Sequence, residues 1–186
     1  MNKRAGFMAR AFIGVAVVVV LLQGVSSIAY AQTSDGTVEN AKPPLQIVNQ
    51  TGLKVLIQVN YDATVPNGIS KQVLAAKNLY DQYADLGMKS GKDYEIAMVF
   101  RADGAHSLLT DDAYDAKVKQ PHPKGNPNKA ILEVLSKNGV KMYECAVAMK
   151  GKGYKSEDLL PFSRVVVSGM GAMVDLQKSG FLPVTP

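Results

Sequence analysis

Between Lys54 and Val184 the apolar positions change their period several times, and each change marks a predicted element. Val55 to Val59 is an apolar run of strand length. From Ser70 to Gly87 apolar residues recur three to four apart, at Val73, Ala76, Tyr80 and Tyr83. That spacing predicts a helix with Ser70 as its amino-terminal cap and Gly87 just past its end. Tyr94 to Phe100 predicts a second strand. Asn128 to Asn138 predicts a helix: Pro127 precedes the cap, Ile131, Leu132, Val134 and Leu135 supply an apolar face, and Gly139 stops it. Val140 to Cys145 predicts the third strand and Val165 to Val167 the fourth. Met170 to Ser179 reads as a helix ended by Gly180, and Phe181 to Val184 as a short last strand that Pro183 assigns to a sheet edge. Strands rich in Val and Ile, separated by helices, predict an α/β layered domain with a mostly parallel sheet of about five strands. Between Ala113 and Asn128 the chain is polar, and Gln120 to Pro127 holds three prolines and a glycine. This excludes helix and central strand there and predicts a surface loop, a candidate lid or oligomer contact.

The first 31 residues follow a different pattern. Lys3, Arg4 and Arg10 form a positive start, Ala11 to Leu22 is an uninterrupted apolar run, and Ala29-Tyr30-Ala31 fits the small-x-small rule for cleavage. An apolar run of 12 residues falls short of the roughly 20 that span a bilayer. Residues 1–31 are therefore expected to be a cleaved secretory signal peptide, leaving no stable membrane anchor and sending the mature protein to a bacterial periplasm. Residues 32–53, polar and containing Pro43-Pro44, are expected to be a flexible arm, with Leu45 to Val48 a candidate extra strand. The domain is expected to occupy residues 54–186.

Composition narrows the function classes. Of 186 residues, 47% are hydrophobic and 20% charged, which is globular composition and excludes a disordered or collagen-like chain. The net charge of +5 owes three of its positive residues to the first ten positions; without them 18 basic residues face 16 acidic ones. So small an excess, with no basic stripe, argues against nucleic-acid binding. Cys145 is the only cysteine, which excludes an intramolecular disulfide and a zinc site built from several thiolates.

In open parallel sheets ligand sites form beyond the carboxyl ends of the strands. The residues expected there are Asn60 and Asp62 after the first strand, Arg101, Asp103, Gly104 and His106 after the second, Cys145 at the end of the third, and Ser168 and Gly169 after the fourth. Ala146 to Lys150 is expected to open a helical turn, whose amino end would favour a Cys145 thiolate. Lys150 and Lys152 would add positive charge, while strand alternation sends Glu144 to the opposite face. A cysteine at a strand end is equally well a small buried hydrophobe. Other constellations are weaker. His106-Ser107 with Asp111 and Asp112 offers triad residue types without triad geometry. Cys145, Met149 and two histidines suit copper, yet the spacing of Met149, Met170 and Met173 reads as core. Gly169-x-Gly171 lacks the third glycine of a dinucleotide fingerprint, and His122 between prolines reads as solvated. No metal and no cofactor is expected.

The run Gly139-Val-Lys-Met-Tyr-Glu-Cys145, then Ser156-Glu-Asp-Leu-Leu-Pro161, Val166-Val-Ser-Gly169, Leu176-Gln177 and Gly180-Phe181 resembles the DsrE/DsrF-like family over about Lys54 to Val184. The resemblance implies a three-layer α/β/α sandwich that assembles into homo-oligomers such as trimers or hexamers. It also implies that Cys145 matches the cysteine carrying sulfur as a persulfide in the family's relays, with a sulfur donor or acceptor protein as partner. Many relatives follow that cysteine with Gly, Asn and Thr or Ser where this chain has Ala146, Val147 and Ala148, and many carry His-Gly where it has Arg101-Ala102. Two functions follow as expectations: a periplasmic sulfane-sulfur carrier using Cys145, or a non-catalytic oligomeric module that binds a small ligand or protein while Cys145 is structural.

Overall fold

The computed structural model describes residues 47–186. The expected signal peptide and most of the expected arm lie outside the described residues. Of the candidate extra strand, Ile47 and Val48 are exposed and outside any strand.

Five strands form one parallel sheet: β1 (Leu53–Val59), β2 (Tyr94–Phe100), β3 (Lys141–Cys145), β4 (Arg164–Val166) and β5 (Leu182–Val184), in the order β4-β3-β2-β1-β5. The chain steps outward from β1 to β4 and then returns to the opposite edge. Val55, Ile57, Val59, Ile96, Met98, Phe100 and Met142 all point to one face. Helices α1 (Lys71–Asp85) and α3 (Lys129–Lys137) cover it with Val73, Ala76, Leu132 and Leu135. Leu56, Ala97 and Val99 point to the other face, which α5 (Gly169–Lys178) covers with Met173, assisted by Phe181. A return connection on the opposite face is what a constant crossover hand requires once the strand order reverses. The result is a three-layer α/β/α sandwich. Its central strands are apolar on both faces because both are covered.

Local signals explain the helix ends. The Ser70 hydroxyl accepts from the Val73 N–H at the start of α1, and Gly87 takes a φ of +74° just after it. Pro183 sits in β5 at the sheet edge, where its missing N–H is harmless.

The polar stretch departs from expectation at its start. Asp111–Lys117 forms helix α2, capped by the Thr110 hydroxyl on the Ala113 N–H and carrying Asp111 and Asp112 in its first turn. The cap and the acids were visible signals, but the helix is only 7 residues long and too short to show a period. Ala102–Leu108, for which no element was predicted, forms a 3-10 helix. The proline-rich segment itself is irregular, as expected, but tied down. Buried Asn126 donates to the carbonyls of Ser107 (2.9 Å) and Leu109 (2.6 Å), and the Gly125 N–H donates to Asp115 (2.7 Å). Buried Asn128 accepts from the Ser70 N–H at 2.8 Å, linking the caps of α1 and α3.

Candidate functional site

Cys145 ends β3 and is the residue from which α4 (Ala146–Lys152) starts. Tyr143 faces α5, so alternation turns Cys145 to the same side. The Gly169 N–H, at the first position of α5, donates to Cys145 Sγ at 3.1 Å. Ser168 supports this arrangement by capping α5, its hydroxyl accepting from the Gly171 N–H at 3.3 Å. The close approach depends on glycine. A Cβ on Gly169 would stand 3.1 Å from Cys145 Cβ and 3.2 Å from Arg101 Cβ. Arg101 thus flanks Gly169 on its other side, and its Nε is buried with no hydrogen-bond partner among the described residues. An N–H at a helix amino end is a donor suited to an anionic partner. The thiol is enclosed, with Cys145 only 6% exposed.

The expected crevice residues do not form one site. Cys145, Arg101, Ser168 and Gly169 meet on the α5 face. Asp62, Asp103 and His106 instead line a separate cavity of about 310 Å3, together with Lys117, Lys152 and Tyr154. Cys145 is not part of that lining. In it, His106 Nε2 lies 3.3 Å from Asp62 Oδ1. Burial lowers the His106 pKa below the ordinary histidine value, while Asp62 pulls the other way. Lys152 pairs with Asp103 at 3.0 Å, so it serves the cavity rather than the thiol as expected. Asn60 belongs to neither group. Its N–H donates to Gln72 Oε1 at 2.8 Å, and fully buried Gln72 donates to the Gln58 carbonyl at 2.9 Å, which fixes the end of β1. Gly104 is a packing residue, since a Cβ there would lie 2.5 Å from the Val59 carbonyl oxygen.

Two features escaped the sequence reading. Ala102 has a φ of +48°, a left-handed conformation that favours glycine. The second is Glu144. Its strand position does point to the face opposite Cys145, beside Met142, as alternation requires. Yet its carboxyl curls back so that Oε1 accepts the Cys145 N–H at 3.1 Å. Glu144 is fully buried and its Oε2 has no partner among the described residues. Burial pushes its carboxyl up to about 9. Tyr154, one of the residues lining the cavity, is held up to about 12 by burial and then by Glu144. Only the combination of strand end, buried neighbour and missing cation would have revealed Glu144, and burial is invisible in a single sequence.

Among the described residues no cluster of three or more His, Cys, Asp or Glu is arranged to hold a metal ion, and no helix is long and apolar enough to cross a membrane.

The structure resembles that of MTH1491, a protein of unknown function from Methanobacterium thermoautotrophicum. The TM-score is 0.55 at 22% identity, over 72% of this chain and 99% of that one. It also matches the ychN protein of E. coli with a TM-score of 0.49 and 16% identity, over 72% and 99% of the respective chains. No curated protein matches. A model of the DsrE/DsrF-like family matches residues 54–186, from the start of the sheet through β5. With five parallel strands, helices on both faces and a family match over most of its length, the chain belongs to the DsrE/DsrF-like family.

Proposed function

We propose that this protein is an exported thiol protein that accepts sulfane sulfur on Cys145 as a persulfide. The observation that carries the reading is the Gly169 N–H directed at Cys145 Sγ from the start of α5, with Arg101 alongside. Sulfur transfer needs a thiolate to attack and an anion to be held afterwards, and this geometry serves both. With thiosulfate as donor, the Cys145 thiolate forms an S–S bond to the outer sulfur. The sulfur–sulfur bond of the donor breaks with its electron pair going to sulfite, and the negative charge stays on the new terminal sulfur. A persulfide donor reacts likewise and leaves as a thiolate.

Export rests on the amino-terminal pattern of residues 1–31. A homo-oligomer is proposed from apolar residues exposed on both sides of the site: Val147 after Cys145, and Val167, Met170 and Val174 around Gly169, with Val167 88% exposed. A donor or acceptor protein is the proposed partner in the relay. The test is to incubate the mature protein with polysulfide or thiosulfate and read its intact mass. One added sulfur, absent in Cys145→Ser, supports the reading; no gain with the thiol accessible to alkylation contradicts it.

The enclosure of the thiol and the run Ala146-Val147-Ala148 beside it favour a second reading, a non-catalytic oligomeric binding module. In that case Cys145→Ala leaves ligand binding and phenotype unchanged.

A further inference from the structure

We propose that Glu144 is a positioning residue of the Cys145 site: a carboxylic acid held without charge, whose Oε1 anchors the Cys145 backbone and whose neutrality leaves the site's negative charge to the sulfur. The inference deepens the sulfur-carrier reading and rests on it for its functional meaning. Its structural half stands on geometry alone.

Three observations carry it. Glu144 has no solvent exposure at all, and among the described residues no Lys or Arg contributes to its electrostatic surroundings. Among the described residues its one hydrogen bond is the Cys145 N–H on Oε1, while Oε2 is buried and unpartnered. A single N–H cannot repay the desolvation of a carboxylate, so the group keeps its proton, and that proton sits on the unpartnered Oε2. The Cys145 N–H is also the last one in β3 before α4 turns away, so the carboxyl fixes the sulfur-bearing residue at the point where strand becomes helix.

The charge state matters because Glu144 and Cys145 are sequence neighbours. An ionised Glu144 would place a second negative charge beside the thiolate or persulfide anion. The neutral acid gives the same hydrogen bond without that repulsion, so the two groups share one negative charge. Other titratable groups on the surrounding elements do not alter this. Asp103 and His106 on the 3-10 helix packed over β3 are engaged with Lys152 and Asp62 respectively, and burial keeps His106 neutral. Tyr154 stays un-ionised. Arg101 follows β2 and packs beside Gly169, and Arg164, paired in register with Tyr143, lies on the α5 face, where Asp175 of α5 also packs near Tyr143.

The chain has five glutamates, so the side-chain carboxyl carbons can be followed by NMR after labelling glutamate with 13C, with the Glu144 signal identified by its loss in Glu144→Gln. In the wild-type protein that signal is expected to stay in its protonated position through pH 7 and to move only near 9. Movement of all five by pH 6 would overturn the inference, whether or not any variant folds. The functional half is read by alkylation of Cys145 at pH 7. Glu144→Gln, which keeps a neutral acceptor, is expected to react within about twofold of wild type. Glu144→Ala, which strands the Cys145 N–H, is expected to react about tenfold more slowly while retaining its circular dichroism. Equal rates in all three proteins would overturn the positioning role. A tenfold acceleration in Glu144→Gln would show that wild-type Glu144 is charged. None of these readouts uses a sulfur donor, so failure of persulfide formation with the expected NMR and alkylation results would count against the carrier reading alone.

Discussion

Replacing Glu144 with glutamine is expected to stabilise the protein at neutral pH, and by an amount that grows as pH rises. In the folded protein the carboxyl titrates near 9, against 4.5 for an unburied glutamate. Below 4.5 both folded and unfolded chains hold the proton, and the glutamate costs nothing. As pH rises above 4.5 the unfolded chain releases it while the folded chain keeps it. Wild-type stability therefore falls, at about 1.4 kcal/mol per pH unit, until the folded value is passed. At pH 7 the accumulated loss is about 3 kcal/mol, a large share of the stability of a domain this size. Glutamine cannot ionise, so it has no such slope. It brings its own cost of about 1–2 kcal/mol for a buried amide hydrogen left unpaired beside Oε1, but that cost is independent of pH. The signature is thus the slope of the difference. Urea denaturation of both proteins at pH 5, 6, 7 and 8 should show the glutamine variant gaining on wild type by about 1 kcal/mol or more per unit. A difference that stays flat from pH 5 to 8 would refute the neutral-acid assignment. Titration of His106 is common to both chains and cancels in the comparison.

Other outcomes follow from single contacts. Gly169→Ala is expected to push the start of α5 off Cys145 and Arg101, costing about 1 kcal/mol in urea denaturation and slowing Cys145 alkylation at pH 7; unchanged alkylation would detach the α5 amino end from the site. Ala102→Gly should stabilise by about 1 kcal/mol by relieving the φ of +48°, and a loss of stability would contradict a left-handed Ala102. Burial lowers the His106 pKa, so the folded state resists protonation that the unfolded chain accepts. Stability conferred by the neutral ring is present above about 6.5 and falls as pH drops below it; His106→Gln should flatten the denaturation midpoint between pH 7 and 5.

The elements that could be read from the sequence are those with enough length to show a period or with strong punctuation. The second strand was legible to the residue, because Tyr94 to Phe100 is apolar on both faces. So was the span of α1 between Ser70 and Gly87. The 7-residue α2 and the 3-10 helix at Ala102–Leu108 were not, since both are too short to show a period and only α2 carries a side-chain cap. Within the site, Cys145, Gly169, Ser168 and Arg101 were found because the carboxyl ends of parallel strands gather their loops in one region. That same rule merged them with Asp62, Asp103 and His106. The sheet separates the two groups, because β3 turns Cys145 toward α5 while the 3-10 helix carries His106 toward Tyr114 on the other side. Glu144 shows where alternation alone misleads. It correctly gave the face of the Cα–Cβ bond, but a three-carbon side chain reached back to the neighbouring N–H.

The central claim is that Cys145 takes up sulfur in the folded protein. Mature wild-type protein and Cys145→Ser should be incubated with polysulfide at neutral pH, desalted, and weighed intact, with parallel samples alkylated before and after denaturation. The account predicts a gain of one sulfur in the wild type, its absence in Cys145→Ser, and alkylation of the native thiol before loading. A thiol that reacts only after denaturation, with no sulfur gained, would make Cys145 core packing and contradict the account.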